Sequence, residues 1–398
     1  MATEAERGRT RKRTTDKTVG IMKAVRYPSD KALRTALKLR YIAVLALLKK
    51  QDGSNRLEWC QKKWSEVRRR IPHGSHYPAD IRKILKAEYP KLVAYYQQYI
   101  SDKDHIAAAD VSLLYSIFSY NACYETIAGF FMDDKNGFNL GVCHYCGVAY
   151  INKYTIEGVK DGLDIINRSG AADLEKLLNI HSPRSLQKVI DHAPYTTVDD
   201  FNRVGVFRCG DKFHAVFPDK VNKNHFDLDH VLDKGNCPIT AISLMNFVPS
   251  CSVCNEKLKK QKVLGHGRTP IEELSPTSKK FDFDGQVRFV LMPRAGRKIG
   301  NRPTRQADDY ELKMDVKKAV YENFVEMFHL RERYEFHKME ALFWTELKYR
   351  YTDSRIALMA NSLKDAAFST QRIKDDIFQR TLDKRERCFE KLKRDMLK

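Results

Sequence analysis

Between Ser29 and about Phe131, apolar residues recur at helical spacing. Leu33, Leu37, Tyr41, Val44 and Leu48 form one stripe, and Leu57, Cys60, Trp64, Val67 and Ile71 another. Such i, i+3/i+4 stripes predict helices that bury one face, so these residues are expected in the core. Asp30 and Asn55 stand where side-chain N-caps belong, and Pro90 is expected to break or kink the third helix. The pattern loosens at 133–141, where Asp, Asn and Gly cluster, which predicts a boundary. A second loose region, about 265–303, contains FDFDGQVRFVLM, which reads as a β-hairpin turning at Asp284-Gly285. Beyond Pro303 there is neither Gly nor Pro, and Val316, Val320, Phe324 and Phe328 repeat every four residues, so 304–398 is expected to form long helices.

This patterning predicts an α+β, predominantly α-helical chain. Its expected parts are a basic flexible tail (1–27), an N-terminal helical domain (28–132), a central unit (140–262) with a helical insertion at about 155–222, a linker carrying the hairpin (263–303), and a C-terminal helical region (304–398). Composition agrees: 398 residues that are 42% hydrophobic can bury a substantial core. Charge adds a partner class. Lys and Arg outnumber Asp and Glu by 71 to 51, a net charge of +20 that favours a polyanion such as nucleic acid or an acidic membrane surface. The longest apolar run, Tyr41 to Leu48, ends in Lys49 and Lys50, far short of a membrane span. The basic N-terminus has no apolar segment behind it and does not read as a secretory signal, which predicts a cytoplasmic protein without a membrane partner.

Nine cysteines include two C-x-x-C pairs, Cys143/Cys146 and Cys251/Cys254. Each pair has the spacing at which both thiolates of one turn reach one tetrahedral ion, so together they predict a structural four-cysteine Zn2+ site. The 104 residues between them require an insertion. A redox C-x-x-C is the competing reading, but neither the flanking sequence nor a second pair suits it.

The richest stretch is HFDLDHVLDKGNCPITAISLMNFVPSCSVCNEKLKKQK, residues 225–262. Phe226, Leu228, Val231 and Leu232 read as a strand that ends in Asp229-His230. Asn255 follows Cys254 directly, so zinc would fix it within about 3.8 Å of a rigid anchor. Asp229 and Asn255 offer hard oxygen donors suited to Mg2+ or Mn2+. His230, with an ordinary pKa of about 6.5, suits a general base that deprotonates water, and Asn246 is placed to orient its imidazole. Adjacent strand residues face opposite ways, so Asp229 and His230 converge only if the chain turns there; Asp227 is the alternative carboxylate on the Asp229 face.

These residues, Asp229-His230, Asn246 and Pro249-x-Cys251-x-x-Cys254-Asn255, resemble the HNH (ββα-metal) endonuclease superfamily over the catalytic unit. The resemblance implies His230 as general base, Asp229 and Asn255 as ligands of a catalytic divalent cation, and Asn246 as the residue that orients the base. The final motif residue is Asn rather than His, a variant that the family contains. The run is also similar to HNH nuclease subunits of bacterial antiphage defence systems of the Septu and retron-associated kind, which implies a regulatory or ATPase partner.

Nucleic-acid contacts are expected from Lys257, Lys259, Lys260 and Lys262, which follow Asn255; a solvated helix end is the plainer reading of such a run. Leu174 to Phe207 looks like a helix-hairpin-helix module, which implies phosphate contacts near Arg184 and Lys188, although the hairpin Ile180-His-Ser-Pro183 lacks glycines. The functional expectation is a metal-dependent endonuclease acting on DNA. A zinc-dependent DNA-binding adaptor without cleavage, or an RNase or toxin nuclease, are the alternatives, since the same chemistry serves either backbone.

Overall fold

The computed structural model describes residues 24–206, 212–296, 303–304, 306–363, 368–379 and 387–398. It is α+β and mostly helical, with three separate two-stranded antiparallel sheets among the described residues. No helix among them is long and apolar enough to cross a membrane.

The N-terminal part comprises α1 (Lys31–Ala46), α2 (Arg56–Val67), α3 (Ile81–Leu85), α4 (Tyr89–Asp102), α5 (Ala108–Ile117) and α6 (Tyr124–Met132). Asp30 and Asn55 cap α1 and α2 as expected, their side chains accepting from the amides of Leu33 and Glu58. The second apolar stripe is wholly buried, but Leu33 of the first is 63% exposed, because the buried face of α1 runs through Arg34, Leu37, Tyr41 and Leu45 instead. Pro90 does not break a helix: it occupies the first turn of α4, where the missing amide costs nothing. Most of the expected tail, residues 1–23, lies outside the described residues. At its end Val25 is buried, its amide donating to the carbonyl of Pro276, and Ala24 and Tyr27 pack against the same core.

In the insertion, β1 (Asn152–Glu157) pairs with β2 (Lys220–His225), Asn152 opposite His225 and Glu157 opposite Lys220. This ribbon carries α7 (Gly158–Arg168), α8 (Ala171–Leu178), α9 (Pro183–Asp191), α10 (Val198–Asn202) and α11 (Lys212–Val216) around a separate apolar core that includes Ile166, Leu178, Val189 and Phe213. Gly162 is needed there, since a Cβ would meet the ring of Phe217 at 2.4 Å.

The chain then forms β3 (Asp227–His230) and β4 (Phe247–Ser250), paired antiparallel, followed by a π-helical segment, Val253–Lys259. One continuous core joins this centre to the N-terminal helices and the C-terminal part. The loop between β3 and β4 is gripped from the N-terminal side: Tyr41 donates to the carbonyl of Ile242, Tyr27 to that of Leu244, and Ser243 to that of Ile84.

Two expectations for the C-terminal part are corrected. After α12 (Arg268–Leu274), Asp284-Gly285 is no hairpin turn but lies in α13 (Phe283–Gln286), whose cap Asp282 accepts from the Gly285 amide. The strand that follows, β5 (Val287–Pro293), pairs instead with β6 (Tyr310–Val316). Residues 304–398 are therefore not helical throughout. The alternation of buried Tyr310, Leu312 and Met314 carries the strand period, and absence of Gly and Pro does not by itself specify a helix. The remaining helices are short, from 7 to 13 residues: α14 (Val320–Met327), α15 (Leu330–Phe336), α16 (Lys338–Arg350), α17 (Asp353–Leu363), α18 (Thr370–Ile377) and α19 (Glu390–Met396).

Candidate functional site

The four cysteine sulfurs of the two C-x-x-C turns lie within 4.8 Å of one another. Four thiolates around one ion at about 2.3 Å are the donor set of a structural zinc site, so these residues fit zinc. Cys143, Cys146 and Cys254 are buried. The first turn closes by a bond from the Gly147 amide to the Cys143 carbonyl, with Gly147 at φ +68°. Val148 and Arg333 supply the surrounding donors: the Val148 amide reaches Cys146 Sγ at 3.5 Å and Arg333 Nη1 reaches Cys254 Sγ at 3.3 Å, which offsets thiolate charge. Tyr334 and Phe389 from the C-terminal part bond the carbonyls of Cys146 and Gly147. The C-terminal helices thus buttress the cysteine site.

The sulfur site is wired to β3. Tyr145, between the two cysteines of the first turn, stacks on Phe328 with ring centroids 4.4 Å apart and donates its hydroxyl to Asp229 Oδ2 at 2.5 Å. Burial, then the charge of Asp229, holds this phenol far above its ordinary pKa, so it remains a donor. Lys259 Nζ closes the other side, 3.0 Å from Asp229 Oδ1 and 2.8 Å from the His230 carbonyl. The Asp229 and Lys259 side chains are 3% and 0% exposed, a fully desolvated pair.

Two expectations therefore change. Lys259 is not available to a phosphate, because its ammonium is consumed inside the protein. Asp229, expected to offer its carboxylate to a cation, has both oxygens committed to protein donors. The freer carboxylate is Asp227, two residues earlier on β3. Its Oδ2 is buried with no hydrogen-bond partner. Burial raises its pKa, a hydrogen bond from the Asn255 side chain opposes this, and the charges of Glu256 and Asp229 raise it further. Asn255 lines the same cleft as Asp227, so its side-chain amide oxygen is a second hard donor available there.

His230 closes the strand and lines the same cleft, of about 310 Å³, as Asp227, Asp229 and Asn255. Its ring is clamped edge-to-face between Tyr120 at 4.5 Å and Phe247 at 5.0 Å. Burial drives its pKa well below 6.5; the charges of Lys234 and Lys259 push the same way, and a hydrogen bond to the Ala241 backbone opposes them. The imidazole is therefore neutral at pH 7. Nε2 is buried with no partner, so Nδ1 is the nitrogen that bonds Ala241 and Nε2 carries the lone pair.

Asn246 does not contact that ring. Its Oδ1 accepts from the Leu232 amide at 2.8 Å, and its Nδ2 donates to the carbonyls of Leu232 and Thr240 at 3.0 and 3.1 Å. The side chain is fully used in stapling the β3–β4 loop, so its effect on His230 passes through the loop carrying Ala241. The orienting partner of the imidazole is a backbone carbonyl, which no side-chain motif encodes.

Of the other expected contacts, Lys257, Lys260 and Lys262 are exposed, and Lys260 stands at φ +53° on the rim of the cleft. Arg184 and Lys188 are exposed on α9. Asn179, at φ +51° after α8, supplies the left-handed turn that a glycine would otherwise give. Sequence reasoning missed Tyr145, Tyr120 and the buried role of Lys259. The position of Tyr145 inside a metal-binding turn was the one available signal. No protein-family model matches this chain, and no curated protein or solved structure matches it either.

Proposed function

We propose that this chain is a metal-dependent phosphodiesterase of the HNH kind, a DNA endonuclease whose β3, β4 and π-helical segment form a ββα-metal unit. The observation that carries the reading is the cleft itself: a neutral imidazole with an unpartnered Nε2 beside an unpartnered carboxylate oxygen and an amide oxygen. A base and two hard oxygen donors are what metal-assisted hydrolysis of a phosphodiester requires.

His230 Nε2 accepts a proton from water, whose oxygen adds to phosphorus as the bond to the 3′ oxygen breaks. The Ala241 carbonyl holds the ring in the required tautomer and takes on part of the imidazolium charge as it forms. Asp227 and Asn255 are the residues that would hold Mg2+ or Mn2+, and Asp229 acts below them as the anchor joining β3 to Tyr145 and Lys259. A bound divalent cation supplies Lewis-acid stabilisation of the leaving oxygen. Exposed Lys257, Lys260 and Lys262, together with the +20 net charge, favour a polyanionic substrate. The four-cysteine site is structural in this reading, since its four sulfurs leave no open position.

The test is cleavage of supercoiled plasmid with Mg2+, Mn2+ or EDTA, comparing wild type with His230→Ala and Asn255→Ala at equal zinc content. Metal-dependent nicking lost in both variants is the expected result. Intact plasmid together with degraded RNA would transfer the reading to an RNase, and binding without cleavage of either would replace it with an adaptor.

A further inference from the structure

We propose that Lys234 is the residue that meets the scissile phosphate: its ammonium contacts a non-bridging oxygen and stabilises the charge that gathers there as water adds to phosphorus. The inference rests on the nuclease reading above and adds a catalytic residue to His230, Asp227 and Asn255.

Lys234 lines the same cleft as His230, Asp227 and Asn255. Its Nζ stands 4.4 Å from the centroid of the Tyr120 ring, and that ring is the one packed edge-to-face on His230. The same ring therefore contacts both the cation and the base. Among the described residues the Lys234 ammonium makes no ion pair. The adjacent carboxylate is spent elsewhere: Asp233 is buried and accepts from the amides of Gly235 and Asn236 and from Asn236 Nδ2 at 2.7 to 3.0 Å.

The position is also built rather than incidental. Tyr115 donates to the Gly235 carbonyl, and Asn246 clasps Leu232 on the other side, so residues 232–236 are tied at both ends. A half-buried ammonium that rests on a ring face and has only the distant charge of Asp233 opposite it, on a rigid turn, loses solvation that an anion in the cleft would restore. Burial lowers the pKa of this amine, with the charge of Asp233 opposing it, consistent with that cost. Fixed charge aimed at developing charge in a partly desolvated site is the arrangement that stabilises a transition state more than a ground state.

In the step assigned here, the water oxygen bonds phosphorus, its proton passes to His230 Nε2, and the 3′ oxygen departs with the bonding electron pair. Lys234 transfers no proton. Its role is charge stabilisation.

The test compares wild type, Lys234→Met, Lys234→Arg and His230→Ala in single-turnover plasmid cleavage, with DNA affinity measured by fluorescence anisotropy without divalent cation across a salt series. Lys234→Met keeps the aliphatic stem on Tyr120 and removes the charge. We expect it to lower the cleavage rate about 10²- to 10³-fold. Its affinity should change by less than about fivefold and its salt slope by about one phosphate contact. Lys234→Arg should recover part of the rate. If wild type cuts, His230→Ala is dead and Lys234→Met cuts within threefold of wild type, the Lys234 assignment is overturned while the nuclease reading stands. If Lys234→Met loses affinity and rate in equal proportion, Lys234 is a ground-state contact and the assignment is again overturned. If wild type leaves DNA and RNA intact with every divalent cation, the nuclease reading fails and the Lys234 assignment fails with it.

Discussion

Replacing Lys259 with Met isolates the contact on which the geometry of the cleft depends. The ammonium is fully buried and bonds two groups, Asp229 Oδ1 at 3.0 Å and the His230 carbonyl at 2.8 Å. Met has similar length and no charge, so the change leaves a buried carboxylate with only the Tyr145 hydroxyl and a carbonyl without its donor. Removing one partner of a buried ion pair costs about 3 to 5 kcal/mol, since the remaining charge has no water to return to. With an unfolding entropy of roughly 2 cal/mol/K per residue, that loss lowers Tm by about 4 to 6 °C if the whole chain melts as one unit. Differential scanning fluorimetry at low and high salt reads it. The buried pair is shielded from ions, so the loss should be equal at both salts. A double variant, Lys259→Met with Asp229→Leu, removes both charges and should recover at least half of the loss. A shift under 1 °C in Lys259→Met, or a shift that disappears in high salt, would refute the buried pair and the anchoring role of Asp229.

Other consequences follow from the same contacts. The folded His230 pKa lies well below its ordinary 6.5, so between those values only the unfolded chain binds a proton and stability falls as pH drops below about 6.5. His230→Phe, which keeps a ring between Tyr120 and Phe247, should flatten that slope in urea titrations at pH 7 and pH 5.5. Purified protein should release about one zinc per chain on thiol modification, read with a chromogenic chelator, and Cys251→Ala should release almost none and lose cleavage, because Asn255 directly follows Cys254. Asp227→Asn should raise the Mn2+ concentration for half-maximal cleavage roughly tenfold or more, whereas Asp229→Asn should act mainly on Tm. The reverse pattern would return the cation to Asp229.

What was legible in the sequence was local. The two C-x-x-C turns, Asp229-His230 and Asn255 are fixed by short spacings, and the structure brings them to one sulfur site and one adjoining cleft. The caps at Asp30 and Asn55 are equally local. What was not legible depends on partners far along the chain. Tyr145 and Asp229 are 84 residues apart, and Lys259 reaches back 30 residues to the same carboxylate. Lys259 sits in a run of lysines that reads as solvated, and nothing in its neighbours marks it as the one turned inward. The π-helical segment adds a residue to the turn after Asn255, with the Lys260 amide bonding the Asn255 carbonyl at i+5, so an α-helical count misplaces the side chains that follow. The partner of β5 was missed for a related reason. Asp-Gly favours a hairpin only when both flanking strands are adjacent in sequence, and here Asp282 captures the glycine amide first.

The most direct test of the central claim is chemical rescue at the base. His230→Gly opens space between Tyr120 and Phe247, and imidazole added to a single-turnover plasmid assay can enter it. The variant should cleave about 10²- to 10⁴-fold more slowly than wild type in saturating Mg2+ or Mn2+, with added imidazole restoring rate in proportion to its neutral form. A His230→Gly protein that cleaves at the wild-type rate, or one whose lost rate imidazole leaves unchanged while it still binds DNA and divalent cation normally, would contradict His230 as the general base.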